Sequence, residues 1–234
     1  DERKQKSDAE PERPLLPIAR EGNLWPWTTV AAGGSYILIS TTACIYEEMF
    51  PVYAKLSHSL GGLELGSSGI AVVLLTGGIV LCAFQLVAFA PLANAFGAVR
   101  FMRAAAATFA IACSLPPIAS LPLIWHNPTM FWGVTCAIQC FKNCSLAILF
   151  SCTFIVVNNS CENEVKARVN GVFSSVAAVS RCVTPVLAAL VLRYSLALDV
   201  AGNQFIVWLV LSGGVLMLCL FCWAIPRQLD SPPP

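Results

Sequence analysis

Six long apolar stretches set the limits on any fold for this chain: residues 27–46, 68–90, 103–124, 130–157, 171–192 and 205–225. A helix needs about 20 apolar residues to cross roughly 30 Å of hydrocarbon, and each stretch meets that length. In lipid every backbone amide must be paired within its own segment or in a closed barrel. These runs are too long and too uniformly apolar for the alternating strands of a barrel. The expected fold is therefore an all-α membrane protein with six transmembrane helices. Pro116 and Pro117 are expected to kink the third span and Pro185 the fifth.

Composition agrees. Hydrophobic residues make up 57% of the 234 and charged residues 12%, and the mean hydropathy is +0.72. A water-soluble domain of this size has too few polar groups in that balance to cover its surface. A net charge of +1, with basic residues in short clusters between the spans, supplies no patch for nucleic acid. Most of the eleven cysteines, Cys82, Cys113, Cys140, Cys219 and Cys222 among them, lie in apolar runs and read as small packing residues. Residues 1–24 are polar and carry no signal-peptide core, so they read as a cytoplasmic linker in a piece of a longer chain. Residues 25–226 form the six-helix unit and 227–234 a short cytoplasmic tail.

If the odd-numbered connections lie outside, the outer side holds Lys55 and Arg193. The inner side then holds Arg3, Lys4, Lys6, Arg13, Arg20, Arg100, Arg103, Lys166, Arg168 and Arg227. That bias places both termini in the cytoplasm. Trp25, Trp27, Trp125, Trp132 and Trp223 fall near span ends, at headgroup level. The sequons at Asn143 and Asn158 fall within the membrane and on the inner side, where they should carry no sugar.

Ionisable side chains at bilayer depth are costly, so each is a functional candidate. Lys142 lies mid-way along the fourth span and Arg181 about ten residues into the fifth. At 100° per residue, Thr135, Gln139, Lys142, Leu146 and Thr153 share a stripe with Asn143 at its edge. This stripe reads either as the wall of an aqueous substrate cavity or as a structural lysine bonded to backbone carbonyls at a helix break. Cys136, Cys140 and Cys144 share another stripe that could offer thiolates to a soft metal. No His or carboxylate joins them, so no metal site is assigned. Glu47 and Glu48 end the first span just before Pro51, where at most one can face a central cavity squarely. There they are either a proton-accepting or gating pair or two solvated loop acids. His58 and His126 read as solvated loop residues.

Several segments in order resemble the C-terminal half of a major facilitator superfamily transporter, more narrowly the zinc-induced-facilitator-like and tetracycline-type antiporter group. The resemblance runs from about residue 30 to 226. Tyr46-Glu47-Glu48-Met49-Phe50, with Ala54 and Gly61-Gly62-Leu63, resembles that group's seventh helix and exit loop; on this match Glu48 takes the acidic position and Glu47 is extra. Phe84-Gln85-Leu86, Pro91 to Gly97 and Arg100 resemble the superfamily's loop motif. Asn94 stands there where Asp is usual and Ala95 where Arg is usual, which weakens the motif's charge clasp. Asn158-Asn159-Ser160, Arg168, Asn170-Gly171, Arg181 and Thr184-Pro185, then Ala188 and Ala189, resemble the inner loop and eleventh helix.

The resemblance implies a six-helix bundle forming one half of the fold, partnered by an N-terminal half that rocks against it around a small-molecule site. The first and fourth helices of a half line that site. Glu48, Glu47, Gln139, Lys142 and Asn143 are accordingly the expected substrate and coupling residues, and Arg181, Pro185, Gly97 and Arg100 the gating and structural ones. The implied function is proton-coupled, antiporter-type secondary transport of a small organic solute or metal chelate by alternating access, in a plasma or organellar membrane, with no cofactor. A six-span channel or a transport-dead scaffold are the alternatives. A membrane enzyme would need a nucleophile–base pair or clustered ligands, which the two dispersed histidines do not supply.

Overall fold

The structure is a computed structural model describing residues 26–198 and 203–230. The expected linker over 1–24, Trp25 and residues 231–234 lie outside the described residues. The elements are α1 (Trp27–Lys55), α2 (Ser67–Val87), α3 (Phe89–Phe96), α4 (Ala98–Ser114), α5 (Pro122–Trp125), α6 (Pro128–Asn159), α7 (Lys166–Ala197) and α8 (Ile206–Ala224), with no strand among the described residues. Six of these segments are long and apolar enough to span a membrane: α1, α2, α4 with the turn that follows it, α6, α7 and α8. The chain is an all-α, multi-pass membrane protein, with a six-helix bundle of the size that makes up one half of a major facilitator fold.

The prolines act differently from place to place. α1 does not end before Pro51 but runs through it to Lys55, so Glu47 and Glu48 sit within the helix rather than at its rim. Pro51 brings no N–H to the carbonyl of Glu47, and the helix absorbs that loss without stopping. Pro116 and Pro117 break the third span instead of kinking it: α4 stops at Ser114 and a 3₁₀ turn, Pro116–Ser120, takes over. Pro185 lies inside the continuous helix α7. Asn127 starts α6 by accepting the Met130 N–H at 3.2 Å, with Pro128 in the first turn, where its missing N–H costs nothing.

α1 and α6 are the central helices. α1 packs on α6, α7 and α8, while α6 packs on α1, α2 and α4, and α4 closes onto α8. Lipid tails are as apolar as leucine, so helices here associate through close packing and hydrogen bonds rather than a hydrophobic drive. Gly33 on α1 and Gly77 on α2 provide that closeness. A Cβ on Gly33 would fall inside the Phe173 ring of α7, and one on Gly77 would lie 2.6 Å from the Asn143 amide and 2.8 Å from Gln139. Hydroxyls inside the spans bond back to their own helix, as Ser35 does to Ala31, Thr135 to Phe131 and Thr184 to Ser180. α2 buries only Val73 and Gly77; Leu75, Ile79 and Leu86 are exposed on its other faces.

Where α4 begins and α8 ends, the two helices cap each other. Arg103 on α4 donates to the carbonyls of Cys222, Trp223 and Ile225 at 3.1, 3.1 and 2.5 Å, placing a cation on the negative end of α8. Asp230, beyond α8, accepts the Val99 N–H at 2.7 Å at the positive end of α4. Residues Arg227–Asp230 thus form a 3₁₀ turn fastened to the bundle, also through Asn159 Nδ2 to the Leu229 carbonyl at 2.9 Å. In the loop between α6 and α7, burial pushes the Cys161 thiol above its usual range, opposed by the charge of Lys166. His58 is not a freely solvated loop residue: its ring stacks on Trp125 at 4.2 Å.

Candidate functional site

The site grows from one charge. Lys142 is fully buried in α6, and its ammonium donates to the carboxylate of Glu47 on α1. The same Nζ lies 4.7 Å from the centre of the Tyr46 ring, a cation–π contact made in a desolvated setting. Tyr46 is held in place: it stacks on Phe50, meets Trp208 edge-on, and its hydroxyl donates to Gln139 Oε1 at 3.3 Å. Gln139 lies one turn before Lys142 on α6, so α1 and α6 are joined by a salt bridge and a hydrogen bond from adjacent residues, Tyr46 and Glu47. Burial is asymmetric. Lys142 has no exposed side-chain surface, whereas Glu47 keeps 48% of its own.

The Lys142 stripe therefore faces inward. Thr135, Gln139, Lys142 and Thr153 are all buried, and Asn143 is nearly so. In this conformation the stripe is a packed seam against α1, α2 and α4 rather than an open cavity wall, the first of its two readings. The structural alternative, a lysine bonded to backbone carbonyls at a helix break, gives way to an ion pair with a side chain in an unbroken helix. Asn143 rests its amide against Gly77 of α2, and among the described residues its side chain makes no hydrogen bond.

Glu48 belongs to another surface. Rotated about 100° from Glu47, it lines a cavity of about 470 Å³ between α1 and α7 with Met49, Val52, Pro185, Leu192 and Arg193. On the same interface Arg181 Nε donates to Ser40 Oγ at 2.7 Å and Thr41 to Ser180 Oγ at 3.0 Å. Pro185 lacks the N–H that would close the helical bond to the Arg181 carbonyl, and the Cys44 thiol, 3.9 Å away, is directed at that carbonyl instead. Of the five expected substrate and coupling residues, the structure gathers Glu47, Lys142 and Gln139, sets Asn143 one residue from Lys142, and turns Glu48 toward α7. Gly97 and Arg100 lie far from this cluster, at the start of α4. Gly97 has φ +79°, and Arg100 is exposed.

Sequence reasoning gave no role to Tyr46, Gly77, Ser40 or Cys44. A signal existed for Tyr46, an aromatic beside the acid on a span. None existed for Gly77, whose importance lies in what it leaves room for.

No family model matches the chain, and no solved structure matches it. A probable peptide/nitrate transporter of Arabidopsis thaliana is 26% identical over 150 residues, which are 64% of this chain and 30% of that protein. The chain thus aligns with less than a third of the length of a membrane transporter.

Proposed function

We propose that this chain is the substrate-handling bundle of a secondary transporter, with Glu47 and Lys142 as the coupling pair. One observation carries the reading: a fully buried ammonium in the middle of a membrane-length helix, neutralised by a carboxylate that remains half exposed. An ionisable pair at that depth is expensive, and a purely structural seam is made more cheaply from apolar side chains. A carboxylate reachable by water beside a buried cation is the arrangement needed to take up a proton and pass its effect inward.

In this reading the bundle works against a second six-helix half in alternating access, with both termini in the cytoplasm, moving a small organic solute or metal chelate with proton coupling. The similarity to a probable peptide/nitrate transporter supports the transport class. Arg181, held to Ser40, and the Pro185 break in the α7 ladder make the α1–α7 seam the gating element. The test is substrate-linked proton flux in vesicles carrying the full-length protein. Wild type should couple the two fluxes, and Glu47→Gln and Lys142→Met should each uncouple them while inserting normally. Wild-type flux from both variants would remove the pair from the mechanism.

A further inference from the structure

The pair also indicates what kind of substrate it serves, an inference that rests on the transport reading above. Lys142 has no exposed surface, and Glu47 is the only acidic group bonded to it among the described residues. The remaining neighbours cannot replace that charge. Tyr46 offers a ring face and an O–H already given to Gln139, and Gln139 is neutral.

The charged and titratable groups around Glu47 come from each helix that packs there. Lys142 lies on α6, and Cys44, Tyr46 and Glu48 on α1. Cys113 lies on α4, and Arg181 and Cys182 on α7. The spans of α2 and α8 contain no Asp, Glu, Lys, Arg or His. Glu48 sits beside the α7 cavity and Arg181 is bonded to Ser40, so neither joins the Lys142 ammonium. A proton arriving at Glu47 converts its carboxylate to a neutral acid, breaks the ion pair and leaves one uncompensated buried cation. A stranded charge of this kind is among the most costly states a protein interior can hold.

We propose that a small anion takes the place of Glu47 on Lys142 once Glu47 is protonated, so that one proton and one carboxylate-like or other monovalent anionic group enter the site together. The charges balance at each stage. The pair is neutral, protonation makes the site +1, and the anion restores neutrality. By linkage, proton binding and anion binding strengthen each other by the same factor. Proton and substrate would therefore travel in the same direction without net charge, unlike the exchange mode that the sequence resemblance implies.

Glu47→Gln imitates the protonated acid. The test titrates acetate, benzoate and nitrate into the purified full-length protein at pH 7.5 and follows thermal unfolding and tryptophan fluorescence. Lys142→Met and the double variant Glu47→Gln/Lys142→Met serve as references for general salt effects. At least one of the three anions should bind Glu47→Gln at least tenfold more tightly than wild type, with affinity independent of pH between 5.5 and 7.5, and neither Lys142→Met protein should bind it. In wild type the same anion should bind more tightly as pH falls. If none of the anions binds Glu47→Gln more tightly than wild type, or if Lys142→Met retains the binding, the swap is overturned. Substrate-linked proton flux in wild-type vesicles would then leave the broader transport reading standing, and its absence across anionic, cationic and neutral solutes would remove both.

Discussion

The thiol of Cys44 on α1 donates to the backbone carbonyl of Arg181 on α7, 3.9 Å away, and that carbonyl is the one left without its helical partner by Pro185. A proline break in one helix is thus answered by a side chain from its neighbour. This is how broken ladders are tolerated at membrane depth. The compensation predicts a coupling. Cys44→Ala alone should cost about 0.5–1 kcal/mol, the range for a modest hydrogen bond. In a Pro185→Ala background the substituted residue supplies its own N–H to the Arg181 carbonyl, so the same Cys44 change should cost close to nothing. A double-mutant cycle from thermal unfolding in detergent measures the difference; additive effects would mean that the thiol does not stand in for the N–H that Pro185 lacks.

The Glu47–Lys142 pair predicts an unequal response to losing either member. Lys142→Met removes the buried charge and leaves a carboxylate that is half exposed. Glu47→Gln leaves the buried ammonium stranded. Breaking a buried pair on the charged side costs about 3–5 kcal/mol, and because Glu47 is 48% exposed a figure of about 2 kcal/mol is reasonable here. Glu47→Gln should therefore unfold at a clearly lower temperature than Lys142→Met when no anion is added, and the double variant should recover most of the loss. Equal destabilisation by the two single changes would contradict the burial asymmetry.

The spans and the importance of Lys142 were legible in the sequence because both rest on length and cost: a run of 20 apolar residues has few alternatives, and a charge within one must be explained. The partner of Lys142 was harder to read. Ending the first helix before Pro51 placed Glu47 and Glu48 on a rim where either could turn inward, and the family resemblance favoured Glu48. The helix instead continues to Lys55, which fixes the two acids about 100° apart and gives α6 the first and α7 the second. The mutual capping of α4 and α8 was illegible for another reason. Val99 and Asp230 are 131 positions apart, and nothing local marks a tail acid as a cap. The weakened clasp at Asn94 and Ala95 was visible; an acid arriving from elsewhere to hold the start of α4 was not.

Gly77 provides a steric prediction with an internal control. A Cβ there would come within 2.6 Å of the Asn143 amide and 2.8 Å of Gln139, whereas one on the next residue, Gly78, meets nothing within 4 Å. Gly77→Ala should push α2 away from α6 and cost about 1–3 kcal/mol, the usual range for overpacking. It should also weaken substrate binding, because the residues it displaces flank Lys142. Gly78→Ala should be neutral or stabilising by up to about 1 kcal/mol from helix propensity. Thermal unfolding of the two variants side by side decides the matter, and similar behaviour would mean that the α2–α6 seam is looser than the structure describes.

The junction at Gly97 combines two requirements that can be separated. Its backbone, at φ +79° and ψ 147°, lies in a region that residues with a Cβ rarely adopt, and a Cβ there would also meet the Asp230 carboxylate at 3.0–3.2 Å. Gly97→Ala should therefore cost about 1–3 kcal/mol through backbone strain, and shortening Asp230 should not rescue it fully. Asp230→Ala removes the acceptor for the Val99 N–H and its charge from the positive end of α4, and should cost about 1 kcal/mol, as the loss of an N-terminal cap usually does. Asp230→Asn keeps an acceptor oxygen and should recover about half of that. In the double variant Gly97→Ala/Asp230→Ala the steric part disappears while the strain remains, so its total cost should fall below the sum of the single costs by a few tenths of a kcal/mol. A total equal to the strain of Gly97→Ala alone would mean that Asp230 contributes nothing to α4, and the tail turn would then be docked by Asn159 without it.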